Sequence, residues 1–173
     1  MRGRWAQGLE PRGFTWVIKD RLAASERPGG FSRNHRKVRR QEELIWLSGS
    51  GFTRVLSLLD SPHNLHAYGE AGIRYEHVPL GRRETWPAQL RQTYSLLAAW
   101  MSDPEERVLV HHEEFGERLL GVLAGYLMYA FPEVFTSGPE AAVAVEQITG
   151  RQLGAAGRAI VQVSVDEGLV GRA

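Results

Sequence analysis

Residues 118–131 read Arg-Leu-Leu-Gly-Val-Leu-Ala-Gly-Tyr-Leu-Met-Tyr-Ala-Phe, a helix-length run that is apolar nearly all round. A helix without a polar face must be enclosed on every side, so whatever the chain builds has to surround this segment. Just upstream, Arg107-Val108-Leu109-Val110 ends in an aliphatic run suited to a buried strand. Only His111 to Glu117 separate the two, which forces a tight loop. Strand, tight loop and helix N-terminus together can hold an anion on backbone N–H groups.

The rest of the chain alternates in the same way. Phe14–Ile18 is β-rich and alternating, and turn signals follow at Arg27-Pro28-Gly29-Gly30. Arg33 to Arg40 is a basic run leading into a short helix, 42–48. Thr53–Leu59 is a near-continuous apolar strand, and 66–71 is a short helix closed by Gly72. Ile73–Leu80 alternates like a strand. Trp86-Pro87 opens a helix over 88–101, with Leu90, Tyr94, Leu97 and Met101 on one stripe. Two further helices are expected over 139–148 and 153–165. Strands alternating with helices around an enclosed helix predict a three-layer α/β/α fold, a mostly parallel sheet with helices on both faces.

Bulk properties narrow the function classes. The 173 residues fit a single domain, 1–173, with 1–12 as a flexible N-terminal segment. The formal net charge of +1 argues against nucleic acid or an acidic membrane as the main partner. No apolar run reaches the ~18 residues of a membrane span, and Met1 to Gly8 lacks the apolar core of a signal peptide; a cytoplasmic location is the expectation. The chain contains no cysteine, which removes disulfides, thiolate metal ligands and thiol nucleophiles together. No cofactor motif is visible, and the oligomeric state is open.

Four stretches in order carry a family resemblance. Trp16-Val17-Ile18 is followed by Arg21-Leu22-Ala23-Ala24-Ser25 and Arg27-Pro28-Gly29. Gly51–Leu58 then precedes Gly72–Leu80. From Phe14 to about Val161 the chain resembles the bacterial branch of the dual-specificity and tyrosine phosphatases. The resemblance implies a phosphatase-like α/β fold whose anion-binding loop is His111 to Arg118. In that family the loop reads His-Cys, five residues, Arg, then Ser or Thr. Here the Cys position is His112, the Ser/Thr position is Leu119, and the arginine is kept as Arg118. The family's histidine before the nucleophile turns away from the pocket and holds the loop by hydrogen bonds, a role that falls on His111.

The departures bear on chemistry. The nucleophile should be a low-pKa thiolate, and His112 stands in its place. The general acid, an Asp after the preceding strand, falls on Gly81 or Arg82, with Glu84 the nearest carboxylate. Phe115 occupies the position of a loop glycine, and Gly116 comes one residue late. Glu113, Glu114 and Glu117 set three carboxylates against Arg118. At ~4 Å and an effective dielectric near 20, each like-charge contact costs on the order of 4 kcal/mol before side chains move apart. Cysteine-type phosphoester hydrolysis is therefore excluded, and phosphate is a doubtful guest.

Three readings remain for the loop. In the first, the fold serves as a pseudophosphatase that binds a small-molecule or protein ligand through His111, His112, Glu114, Phe115, Gly116, Glu117 and Arg118, with Arg82 and Trp86 alongside. In the second, a repurposed enzyme uses His112 as base or nucleophile beside Glu113, with Arg118 orienting an anionic group and Glu113, Glu114 or Glu84 as acid. In the third, His111, His112, Glu113 and Glu114 ligate a metal, although adjacent residues on a tight loop rarely converge on one ion. A further expectation is that the basic run, through Arg36, Lys37, Arg39 and Arg40, pairs with the acidic loop.

Overall fold

The computed structural model describes residues 8–170, which divide into two compact units. The first comprises the chain up to Pro79 together with Asp103–Phe115; the second comprises Leu80–Ser102 and the chain from Gly116 onward. Each unit takes two stretches of sequence, so neither is a contiguous domain.

The first unit is built on a five-stranded sheet: β1 (Thr15–Ile18), β2 (Leu22–Ser25), β3 (Arg54–Ser57), β4 (Arg74–His77) and β5 (Val108–His111). The order across the sheet is β1-β2-β5-β3-β4, and only β1 and β2 pair antiparallel. This is the mostly parallel sheet that the alternating pattern predicts. β5 lies at its centre, hydrogen-bonded on both sides, and Val108, Leu109 and Val110 are wholly buried. Strands buried on both faces read as continuous apolar runs, which is why this one was visible in the sequence.

β2 is a correction. Leu22–Ser25 figures above only in the family resemblance, between the first strand and the turn, yet it forms a fully buried strand beside β5. Leu-Ala-Ala-Ser has no β-branched or aromatic residue, so only its pairing and burial make it a strand.

Two helices complete this unit, α1 (Lys37–Gly49) and α2 (His66–Glu70). Leu44 and Leu47 of α1 and Tyr68 of α2 pack with Ala23, Val55 and Leu109 of the sheet in one core. α1 starts earlier than the expected 42–48, so part of the basic run lies in its first turn. Cations there oppose the helix dipole, and no side chain caps Arg36. The buried face of Glu43, Leu44 and Leu47 holds the helix against that cost. Residues 1–7 of the expected flexible segment lie outside the described residues. Residues 8–12 are not loose: Leu9 N–H donates to the Glu42 carbonyl at 3.0 Å, and Pro11 is buried.

The second unit is helical: α3 (Trp86–Met101), α4 (Glu117–Ala130), α5 (Gly138–Thr149) and α6 (Gly154–Asp166). α4 is the apolar segment of the opening argument, buried without a break from Leu119 to Met128. It packs against α3, α5 and α6. The crossing with α6 is close because two glycines meet: a Cβ on Gly121 would lie 2.7 Å from the Gly157 carbonyl oxygen. One buried polar pair ties α3 to α6, the Tyr94 hydroxyl and Ser164 Oγ at 2.8 Å. Among the described residues, no helix is long and apolar enough to cross a membrane.

Candidate functional site

The carboxyl ends of parallel strands, where the strand order reverses, are where α/β sheets place their sites. Here the register lines up a polar row at that edge: Ser25 opposite His111, His111 opposite Ser57, and Ser57 opposite His77. The loop that follows β5 is pinned to its neighbours. Leu58 N–H donates to the His111 carbonyl at 2.9 Å, and Arg27 N–H to the Glu113 carbonyl at 3.2 Å.

His111 is wholly buried and both ring nitrogens are engaged. Nδ1 lies 3.1 Å from the His112 carbonyl and Nε2 lies 2.8 Å from the Tyr68 hydroxyl. A carbonyl only accepts, so Nδ1 carries the proton and Tyr68 donates to Nε2. Burial pushes the imidazole down to about 3, and the His112 carbonyl only partly offsets it. His111 is thus a neutral structural group beneath the loop, with no nitrogen left for a ligand or a metal. His112, next in the chain, is half-buried. Among the described residues, no cluster of three or more His, Asp or Glu side chains is placed to hold an ion.

The three glutamates have separate surroundings. Glu113 Oε1 lies 3.5 Å from Arg27 Nη1, with Arg27 largely buried and Glu113 partly exposed. Glu117, the first residue of α4, turns to the start of α6, where its Oε2 accepts the Ala156 N–H at 2.9 Å. Gly154 has to be glycine there, since a Cβ would strike the Glu117 carboxylate and its φ is +70°. Glu114 is exposed and makes none of these contacts, while Glu117 is exposed but engaged. The sequence could not show this, because Glu117 meets a helix start far along the chain.

Arg118 is held within the helical unit. Its Nη1 donates to the Gly81 carbonyl at 3.3 Å, and that carbonyl also accepts Trp86 Nε1 at 3.3 Å. Trp86 is 4% exposed, and the guanidinium carbons of Arg83 and Arg118 each lie 5.9 Å from its ring centroid. Cation–π attraction of this kind fixes a guanidinium without neutralising it. Arg82 and Glu84 are exposed on the adjoining turn, and Arg83 is a residue the sequence reading did not single out. Gly116 caps the start of α4, its carbonyl accepting Leu120 N–H, and Phe115 is 6% exposed.

The basic run has other partners than the loop, which corrects that expectation. Arg39 bonds Glu43 at 2.6 Å and Glu26 at 3.3 Å. Arg36 donates to the carbonyls of Arg33 and His35. Glu43 also accepts Gly29 N–H at 2.7 Å, so these contacts clamp the Arg27–Gly30 turn onto α1. Burial raises the Glu43 carboxyl despite Gly29 and Arg39. The cation that meets the acidic loop is Arg27.

No protein-family model matches the chain, and no curated protein sequence matches it. Solved structures do. A kinase-associated phosphatase with its catalytic-site cysteine substituted by serine superimposes with a TM-score of 0.73 at 17% identity, over 91% of this chain and 96% of that one. The active form of Tk-PTP gives 0.68 at 19% identity, over 90% and 97%. TpbA of P. aeruginosa gives 0.65 at 18% identity, over 97% and 95%. At such identities the likeness is one of fold. The chain has the fold of dual-specificity and tyrosine phosphatases and contains no cysteine.

Proposed function

We propose that this protein is a pseudophosphatase: it has no cysteine-based phosphoester hydrolysis and uses the modified loop 111–118 to bind an anionic ligand or the acidic group of a partner. The observation that carries the reading is Arg118. It rests on Trp86, and no carboxylate lies within ion-pair distance of it among the described residues, in a chain without a thiol. That is a binding group without its nucleophile. The turn that would carry the family's acid supplies Arg82 and Arg83 instead, which favours an anion over a leaving group awaiting a proton. The engagement of Glu113 by Arg27 and of Glu117 by the start of α6 further supports binding, because it offsets part of the repulsion an anion would meet.

The test pairs turnover with binding on the purified chain. An aryl phosphate is expected to give no hydrolysis above buffer, while calorimetry with sulfate or phosphate shows binding that Arg118→Ala abolishes. Hydrolysis that disappears in His112→Ala would overturn the reading in favour of a repurposed enzyme. His112 would then be base or nucleophile, and Glu113, Glu114 or Glu84 the acid.

A further inference from the structure

An apolar recess in the helical unit shares no lining residue with loop 111–118. It is a groove of about 530 Å³ between α5 and α6, floored by Met128 of α4 and by Leu153. Pro139, Ala142, Val143 and Glu146 line it from α5, spaced at i, i+3, i+4 and i+7. Arg158, Val161, Gln162 and Val165 line it from α6 with the same spacing. Residues so spaced share one helix face, so the two helices turn whole stripes toward an unfilled channel. Val143, 51% exposed, and Val165, 42% exposed, are among its lining residues. The volume falls in the range of small-molecule sites, which are mostly apolar with a few placed polar groups.

The polar groups indicate the charge of the occupant. Glu146 is engaged, its Oε1 accepting the Leu153 N–H at 2.9 Å. Gln162 is bonded to Asp166 at 2.7 Å. Arg158 is exposed, and among the described residues no carboxylate lies within ion-pair distance of it. A guanidinium with no carboxylate in contact, beside an apolar channel whose one carboxylate is held by a backbone N–H, complements a molecule with an apolar body and one anionic end.

We infer that the α5–α6 groove is a binding site for a small amphipathic carboxylate, with the apolar chain between Val143 and Val161 and the head on Arg158. The site is separate from loop 111–118 and does not depend on the function proposed for it.

Calorimetric titration of the full chain with decanoate, and with decanol as the uncharged chain, tests this. Decanoate is expected to bind, and to bind at least tenfold more tightly than decanol. Arg158→Gln should erase that difference, and Val143→Trp, which fills the channel from its exposed rim, should remove binding of both. Both side chains are exposed, so the melting temperatures should stay close to that of the parent protein. The inference is overturned by an absence of heat at millimolar decanoate, by equal affinity for acid and alcohol, or by a Val143→Trp effect with none from Arg158→Gln. Unchanged binding in both variants overturns it as well.

Discussion

The Tyr68 hydroxyl donates to His111 Nε2 across 2.8 Å in the buried core, joining α2 to the last residue of β5. Burial holds the phenol well above its usual range, so it remains a donor at all working pH values. Removing the donor leaves a buried acceptor unsatisfied. Tyr68→Phe is expected to cost roughly 1–3 kcal/mol in urea unfolding, far more than a surface change. A loss below a few tenths would mean that water reaches His111 Nε2.

The same histidine dictates a pH dependence. Folded, His111 titrates at about 3; unfolded, it returns to 6.5. Between those values the unfolded chain binds a proton that the folded chain does not, so stability is full above pH 6.5 and falls on acidification. The slope for one such group is up to about 1.4 kcal/mol per pH unit. His35 acts in the same direction, lowered to about 4 by burial and then by Arg27 and Arg40. Urea unfolding at pH 7.5, 6.5 and 5.5 should therefore show a flat region followed by a decline, and His111→Gln should lose part of the decline. A wild-type stability that does not change over this interval would contradict a neutral buried His111.

Glu117 and Glu114 are three residues apart and have different fates. Glu117 supplies an acceptor to an N–H in the first turn of α6, a position where loss of the acceptor costs about 0.5–2 kcal/mol. Glu114 is exposed, and its removal is expected to stay within about 0.5 kcal/mol. Thermal unfolding of Glu117→Ala and Glu114→Ala compares them directly; equal losses would mean that the Glu117 contact to α6 contributes nothing.

Much of the fold was legible because its strongest signals are local. The apolar run of α4, the strand Val108–Val110 before it, and the stripe of α3 each declare themselves within a dozen residues. β2 did not, since Leu-Ala-Ala-Ser becomes a strand only beside β5, eighty-odd positions later. The site divides in the same way. The absence of cysteine can be read from the chain, and the resemblance points to Arg118 and to a structural place for His111. The destinations of Glu113 and Glu117 cannot, because Arg27 and Ala156 reach them through tertiary packing. Counting three carboxylates against one guanidinium therefore overstated the repulsion in the loop.

Placing a cysteine at position 112, where the resemblance puts the nucleophile, tests the proposed reading from the other side. In His112→Cys the introduced thiol would follow β5 as the family's nucleophile does, yet its surroundings differ. No carboxylic acid stands at Gly81 or Arg82 to protonate a leaving oxygen, and general acid catalysis of that kind is worth about 10²–10⁴-fold. Glu84 is exposed on the turn after Arg83 and forms no hydrogen bond or ion pair with Arg118 among the described residues. Phe115, which the resemblance sets at the place of a loop glycine, is buried. His112→Cys is accordingly expected to hydrolyse an aryl phosphate no faster than the parent protein, even with the thiol shown to be free by titration with a disulfide reagent. Turnover emerging from that one substitution would mean that only the nucleophile had been lost, and the loop would have to be read as an intact phosphatase site carrying a histidine.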